Sequence, residues 1–482
     1  MATIIFISYT LIVASWLYLY SYIGEQLAHE SQKVGEAFYH TVWTDLKNQD
    51  KRSLVMCLIN GQRPQYLMAG KFYRFTLFGF CDSSDYNRIG DSLAYCRRIF
   101  AIGGVMPPQD SPKLFKLIVL YFLFLILMQA WDTYDVLHNF ETLVVSATEW
   151  PVSVSVTLIL VLIRTNKRLP AVIEKIQNDI NGAISFENDE EKRRYRKYNN
   201  ISVYFGKYVS VFAFVVAYMM FARPLIDLMV NSGTENEQLY RPSNNVVIDE
   251  VNSTQPFVLP FRAHVFFDYR YNAKIYTMIY IFQLPAAYVG VYHAAEASLI
   301  VTSTLHVCGK LSVLACRIRM SLTQSSGHFQ QRMKTIVIEH LELLEFSNIL
   351  NDCFHHILLI EYLNCSFRLG VSMYVVIIML AKDTVAAVNF ILYSIIVAAW
   401  LYLYSYIGEQ LVHESQQVGE AFYVTDWTNI ANRDRRSLTI CLINGQKAEY
   451  LTAGKFYRFT LFGFSNIVKS SMAFLSVLRT TV

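Results

Sequence analysis

The side chains able to act as ligands or nucleophiles are few, and poorly spaced for that work. His355 and His356 are adjacent, and His306 stands two residues before Cys308, so either pair offers two metal ligands. Zinc sites need three or four ligands, and neither pair has that company, so no metal and no cofactor is expected. The eight cysteines, Cys57, Cys81, Cys96, Cys308, Cys316, Cys353, Cys365 and Cys441, include no CxxC pair and read as free thiols. No GxSxG, HExxH, phosphate-loop or GxGxxG pattern occurs, which argues against an enzyme. Three glycosylation sequons remain. Asn252 lies in a long polar stretch where modification is expected, whereas Asn200 and Asn364 fall at a helix start and inside an apolar helix and read as chance.

Two charges in apolar surroundings, Glu149 and Lys469, direct attention to the elements that carry them. A charge in a bilayer is costly unless it meets water, a partner or a ligand. The 482-residue chain is 54% hydrophobic with mean hydropathy +0.28 and only 17% charged residues, a composition that points to lipid as solvent. Its net charge of +4 is too small and scattered for nucleic-acid binding. From Cys81 onward seven apolar stretches are long enough to span, near 114–131, 142–164, 201–229, 274–301, 357–380, 385–407 and 453–478. Pro151, Pro224 and Pro285 fall inside three of them, which membrane helices tolerate.

Lys and Arg concentrate in alternate connections, including Arg164, Lys167, Arg168 and the run Glu190 to Lys197, then Lys310, Arg317 and Arg319. The intervening connection from Trp131 to Glu141 has acids and no Lys or Arg. By the positive-inside bias the expected fold is an all-α polytopic membrane protein. It has seven transmembrane helices, a cytoplasmic N-terminus and an extracellular C-terminus, plus an extra N-terminal hydrophobic segment. That orientation is the reverse of a G-protein-coupled receptor. The apolar start of the chain lacks a basic n-region and a cleavage site, so it reads as a spanning helix and not a signal peptide.

The extra segment is a second copy of a later one. Trp16 to Phe80 matches Trp400 to Phe464 without a gap, with 50 of 65 positions identical. The separation is far larger than the roughly 20–50 residue period of a solenoid, so this is one module met twice. The later copy runs on into an apolar stretch from Ala453, whereas the earlier one breaks off at Phe80. Read as helix, Leu67 to Phe80 covers about 21 Å of a hydrocarbon core of about 30 Å. Residues 1–80, matching 385–464, are therefore expected to be a displaced piece of a tandem relative, and 81–482 the complete seven-helix domain.

The C-terminal stretch resembles the signature end of insect odorant receptors. The residues that carry the resemblance are Glu409, Gln410, Ser415, Ala421, Tyr423, Trp427, Arg436, Leu438, Ala453 and Gly454. Trp427 is followed by Thr428 where the family usually has tyrosine, a small departure. The resemblance implies a multi-pass protein of the sensory-neuron plasma membrane. It would be an odorant-gated, non-selective cation channel, a hetero-tetramer with the shared odorant receptor co-receptor. It further implies an odorant pocket among the outer halves of the second, third, fourth and sixth helices. In this sequence those halves hold Val145, Thr148, Glu149 and Trp150, then Tyr218 and Phe221, then Tyr276, Tyr280 and Gln283, then Phe390 and Tyr393. Aromatic walls with a few polar tips suit a small volatile ligand. The last helix would line the pore through Ile467, Val468, Met472 and Leu475, with Lys469 turned to an interface or to water. A gustatory-receptor-like channel and a secondary transporter are the competing readings, the latter weakened because the repeat is not inverted.

Overall fold

The structure, a computed structural model, describes residues 31, 67–69, 73–75, 91–106, 111–138, 140–231, 257–322, 329–382, 384–425 and 432–481. The chain divides into two units, Met1–Arg88 and Ile89–Val482.

In the first unit, β1 (Leu67–Ala69) and β2 (Tyr73–Phe75) form an antiparallel hairpin that pairs Leu67 with Phe75 and Ala69 with Tyr73. The helical reading of Leu67 to Phe80 is therefore corrected. The second unit repeats the hairpin at equivalent positions, β3 (Thr452–Ala453) with β4 (Tyr457–Arg458), pairing Thr452 with Arg458 and Ala453 with Tyr457. Its turn shows why an apolar run fails to be helical. Gly454 and Lys455 both take left-handed φ, +56° and +67°, and Phe456 N–H donates to Ala453 O at 3.2 Å. That conformation is easy for glycine and ends any helix. The aromatic residues beyond it suit a strand, so the last helix begins at Leu461 and not near Ala453.

The helices of the second unit are α1 (Ala94–Ile102), α2 (Pro112–Asp135), α3 (Phe140–Thr165) and α4 (Leu169–Asn178), which ends in a π-helical turn, Asp179–Ala183. They continue with α5 (Asp189–Asn231), α6 (Ala273–Phe282), a 3-10 turn (Leu284–Ala287) and α7 (Tyr288–Leu322). Then come α8 (Phe329–Lys382), α9 (Thr384–Tyr423), α10 (Asn432–Gly445) and α11 (Leu461–Thr481). Among the described residues, Pro112–Asp135, Asp189–Ile226, Leu284–Met320, Phe329–Leu380 and Ala387–Tyr423 are long and apolar enough to cross a membrane. Trp150–Thr165 and Ala273–Phe282 are shorter apolar helical stretches.

The seven apolar stretches map onto helices, except that 453–478 opens with the hairpin and becomes helix only at Leu461. Helices α3 and α5 run through Pro151 and Pro224, but the stretch 274–301 is broken at the 3-10 turn, where Pro285 has no N–H to donate. Helix α8 has 54 residues, about 80 Å at 1.5 Å per residue, and its first turns are polar. Hydropathy marks the part of a helix that meets lipid, while its backbone hydrogen bonds continue into water.

Helix α7 is the hub, packed by α5, α9, α8, α1 and α3. Small buried residues let so many neighbours approach: Ala294, Ala295, Ala297, Ser298, Thr302 and Ser303 line its faces. At one end polar links fasten it. Arg317 donates to Glu191 at 2.8 Å and to Glu339 at 2.7 Å, and Asp179 accepts from Lys310 at 2.7 Å and meets His306 at 3.1 Å. Beside them, the Tyr198 hydroxyl donates to Glu414 at 2.6 Å, joining α5 to α9. The six described cysteines are buried and free.

Candidate functional site

Trp150 is the candidate ligand residue around which open space and unsatisfied polar atoms gather. On α3 it lines a polar cleft with Gln129, Asp132 and Thr133 of α2, Ser146 of α3, and Arg262. Within the cleft Ser146 donates to Asp132 at 3.3 Å, and Arg262 stands 3.6 Å from the same carboxylate. The side-chain oxygen Oε1 of Gln129 is buried without a hydrogen-bond partner.

Trp150 also lines an apolar groove of about 370 Å³ between α3 and α8, whose walls include Val154, Leu158, Ile360 and Phe367. Its polar elements are Ser155 and Asn364. Asn364 donates from Nδ2 to Ser155 Oγ at 3.1 Å, while its Oδ1 is buried and has no partner. An apolar wall with one unsatisfied acceptor matches a small molecule that is mostly hydrocarbon with one hydroxyl.

Four other candidates meet elsewhere. The Tyr280 ring lies 4.5 Å from Phe221 and 5.5 Å from Tyr276, centroid to centroid, and its hydroxyl donates to the Phe221 carbonyl. Tyr276 is stacked on Phe257 at 4.6 Å and donates to Val258 O at 3.2 Å. Gln283 is fully engaged, accepting from Phe261 N–H at 3.1 Å and donating to Phe261 O at 2.9 Å. These side chains close α6 against α5 and the segment that precedes α6, and their polar tips are already paired.

Of the remaining candidates, Tyr218, Phe390 and Tyr393 join neither group. Tyr218 is 71% exposed. Tyr393 accepts from Arg368 Nε at 2.7 Å, and Phe390 packs on a small cluster of Val375, Met379 and Ala387, so both belong to the α8–α9 contact. Val145, Thr148 and Glu149 lie on α3, and Met472 and Leu475 on α11, but their side chains are outside the described residues, as is Asn252. Ile467 packs against the main core and Val468 is half-buried, while Lys469 is exposed. His306 uses both ring nitrogens within the protein, Nδ1 with Tyr195 at 3.0 Å and Nε2 with Asp179. The His355 and His356 rings lie 3.9 Å apart.

Sequence reasoning passed over Asn364 and Ser155. The sequon at Asn364 was the available signal, an amide inside an apolar stretch, and its burial against α3 is what keeps it unsatisfied. Six of the signature residues of the C-terminal stretch are packing and capping devices, while Tyr423 and Arg436 are exposed. Glu409 accepts from Leu461 N–H at 3.0 Å and so caps α11, and Ser415 accepts from Glu449 N–H at 3.0 Å. Ala421, Leu438 and Ala453 are buried, and Gly454 N–H donates to His355 O at 2.9 Å.

Comparison with known proteins agrees with this architecture. The chain is similar to Putative odorant receptor 85e of Drosophila melanogaster, 27% identical over 140 residues, which cover 29% of this chain and 30% of that protein. It is likewise similar to Odorant receptor 82a of that organism, 23% identical over 39% of this chain and 49% of the relative. Putative odorant receptor 65b is 26% identical over 46% and 57% respectively. The chain thus spans between 30% and 57% of the length of these curated relatives. In fold it resembles the insect olfactory receptor OR5 from Machilis hrabei, with a TM-score of 0.62 at 12% identity, covering 81% of this chain and 100% of that one. The same receptor in complex with eugenol gives 0.61. The family described as 7tm odorant receptor matches residues 1–82 and 140–472, and the chain belongs to that family.

Proposed function

We propose that this chain is an odorant-gated subunit of a non-selective cation channel, acting in the plasma membrane of sensory neurons as a hetero-tetramer with the shared odorant receptor co-receptor. The observation that carries the ligand half of this reading is the unsatisfied amide oxygen Asn364 Oδ1 at the apolar groove lined by Trp150. A volatile that buries its carbon skeleton on Trp150, Leu158 and Phe367 gains roughly 25 cal/mol per Å² of apolar surface. A hydroxyl donated to Asn364 Oδ1 adds about 1 kcal/mol and relieves an orphaned acceptor. Eugenol, bound by the Machilis receptor, has that chemistry, and a phenol or small alcohol is the ligand class assigned to this chain.

In this reading seven helices span, α2, α3, α5, α6 with α7, α8, α9 and α11, with the N-terminal side of α2 cytoplasmic and the C-terminus outside. Helix α11 lines the pore with Ile467, Val468, Met472 and Leu475, an apolar constriction that dewets when closed. Residues 1–80 are a displaced copy of the family's terminal module, and Asn252 is glycosylated in the outer connection between α5 and α6.

The test is whole-cell current from cells expressing the full chain with the co-receptor during application of a volatile panel weighted to phenols and alcohols. Inward current that is absent with co-receptor alone is the expected result. Silence from a chain labelled at the cell surface, across the whole panel, removes the reading.

A further inference from the structure

Among the described residues, a second cluster of buried polar groups forms where α7, α8 and α9 meet. On α7, His293 and Glu296 stand one turn apart and share a face. Glu361 of α8 approaches them, and His293 Nε2 is 3.0 Å from Glu361 Oε2. One donor atom from each of His293, Glu296 and Glu361 lies within 4.8 Å of the others. Tyr404 of α9 closes the group, its hydroxyl 3.4 and 3.5 Å from the two oxygens of Glu296. Trp400 stacks on the His293 ring at 4.8 Å, centroid to centroid, and fixes its plane.

The electrostatics of this group do not close by themselves. Glu296 and Glu361 are each 1% exposed and Tyr404 is fully buried, so two carboxylates share a space cut off from water. Charges so placed must be neutralised or paired. An imidazolium on His293 offsets one of them. A proton on Glu296 offsets the other but leaves Glu361 Oε1, a buried acceptor without any hydrogen-bond partner. A divalent cation does both at once, cancelling two negative charges and taking up that oxygen.

We propose that His293, Glu296 and Glu361 bind one divalent transition-metal ion of the zinc type, with Tyr404 and Trp400 holding Glu296 and His293 in place. One imidazole nitrogen with carboxylate oxygens is a zinc-like donor set, and calcium would demand more oxygens. Tetrahedral bonds of about 2.0–2.1 Å put neighbouring donors roughly 3.3 Å apart. The spread from 3.0 to 4.8 Å closes to that by side-chain rotation. The ion ties α7 to α8 directly and to α9 through Tyr404. The chain order hides the site, because Glu361 belongs to a different helix from the His-x-x-Glu pair.

Cobalt(II) is the probe, because it occupies zinc sites and is coloured. Full-length chain in lipid nanodiscs is stripped of metal, loaded with Co²⁺, desalted, and read by metal mass spectrometry and visible absorption. The background carries His355→Gln and His356→Gln, which removes the adjacent pair as a competing ligand. About one ion per chain with a tetrahedral nitrogen–oxygen spectrum is expected. Glu361→Gln keeps the shape and a hydrogen bond to His293 while removing the charge, and should lower retention at least tenfold. Wild-type thermal stability should rise with added Zn²⁺ and that of Glu361→Gln should not. A parent chain that retains no cobalt, or a Glu361→Gln chain that retains as much, overturns the assignment and leaves the two acids sharing a proton.

Discussion

Replacing Gly419 with alanine tests how α10 is held against α9. A Cβ at Gly419 would stand 2.4 Å from Gly445 O, 2.8 Å from its carbonyl carbon and 3.2 Å from its Cα. A relaxed carbon–oxygen contact needs about 3.3 Å, so the two helices must part by roughly 0.9 Å. The obstacle is backbone and cannot rotate aside. Overpacking of this kind costs about 1–3 kcal/mol, and a backbone obstacle belongs at the upper end. Alanine recovers about 1 kcal/mol of helix propensity. The net is about 2 kcal/mol, or roughly a 30-fold rise in the population with α10 detached. Cys441 reports it, since it lies one turn before Gly445, is buried, and has its thiol pKa pushed up by that burial. Maleimide labelling of Cys441 in full-length protein, resolved by peptide mass spectrometry, should quicken by that factor while Cys308 on α7 stays protected. Gly370→Ala is the control, because nothing lies within 4 Å of a Cβ there. It should leave labelling unchanged or slow it. If Gly419→Ala behaves like Gly370→Ala, the close crossing is not what fastens α10, and the reasoning fails.

Four further outcomes follow from the same geometry. Asn364→Leu should raise the half-maximal concentration of hydroxyl-bearing odorants about tenfold, the loss of roughly one hydrogen bond, with hydrocarbon odorants little changed; a uniform loss across both classes would place the ligand elsewhere. Arg317→Ala should cost about 3–5 kcal/mol by stranding Glu191 and Glu339, read as loss of surface expression that Arg317→Lys restores only partly. Glu409→Ala removes the hydrogen bond to Leu461 N–H and should cost about 1 kcal/mol at the start of α11, seen as reduced maximal current at unchanged ligand sensitivity. For Asp179, burial raises the carboxyl pKa, but the hydrogen bonds from His306 and Lys310 outweigh it and bring it from 3.8 to about 2. A carboxyl lowered on folding contributes stability that is complete above the unfolded value and is lost as pH falls through the folded one. Acid unfolding between about pH 4 and pH 2 should therefore flatten in Asp179→Asn.

What could be read from the chain depended on whether the physics was local. The apolar stretches located the helices because burial in lipid is a sum over neighbours in sequence. Their ends were not legible, since α8 and α9 continue as helices into polar residues that lipid hydropathy ignores. Of the three prolines expected inside spanning stretches, Pro285 breaks its stretch with the 3-10 turn before α7, whereas α3 and α5 run on through Pro151 and Pro224. The hairpin at Thr452–Arg458 was missed because an apolar run reads equally as helix or strand, and the left-handed pair Gly454 and Lys455 decides the matter. Of the candidate ligand residues, Phe221, Tyr276, Tyr280 and Gln283 do come together, but with their polar tips satisfied. The unsatisfied atom that marks the groove, Asn364 Oδ1, is a property of two helices meeting and leaves no spacing in either.

The duplicated segment can be read against the packing of its better described copy. The glycines that permit close approach are Gly408, under Phe459 O, Gly419, under Gly445 O, and Gly454 in the hairpin turn. These three and Gly445 are retained, at Gly24, Gly35, Gly70 and Gly61 respectively. At the described positions, the differences fall where contacts allow them. Val424, Arg435, Thr439, Ile440 and Lys447 are exposed, while Gln417, Ala448, Glu449 and Thr452 are half-buried. Val412 is the buried exception, and its counterpart Ala28 is smaller, so no overpacking arises. Random drift in a segment free of folding would strike the glycines as readily as the surface. The described hairpins show the same agreement, because β1 and β2 pair in the register of β3 and β4. In sequence, Glu25 stands where Glu409 caps α11 in the second copy, and the match between the two copies ends at Phe80.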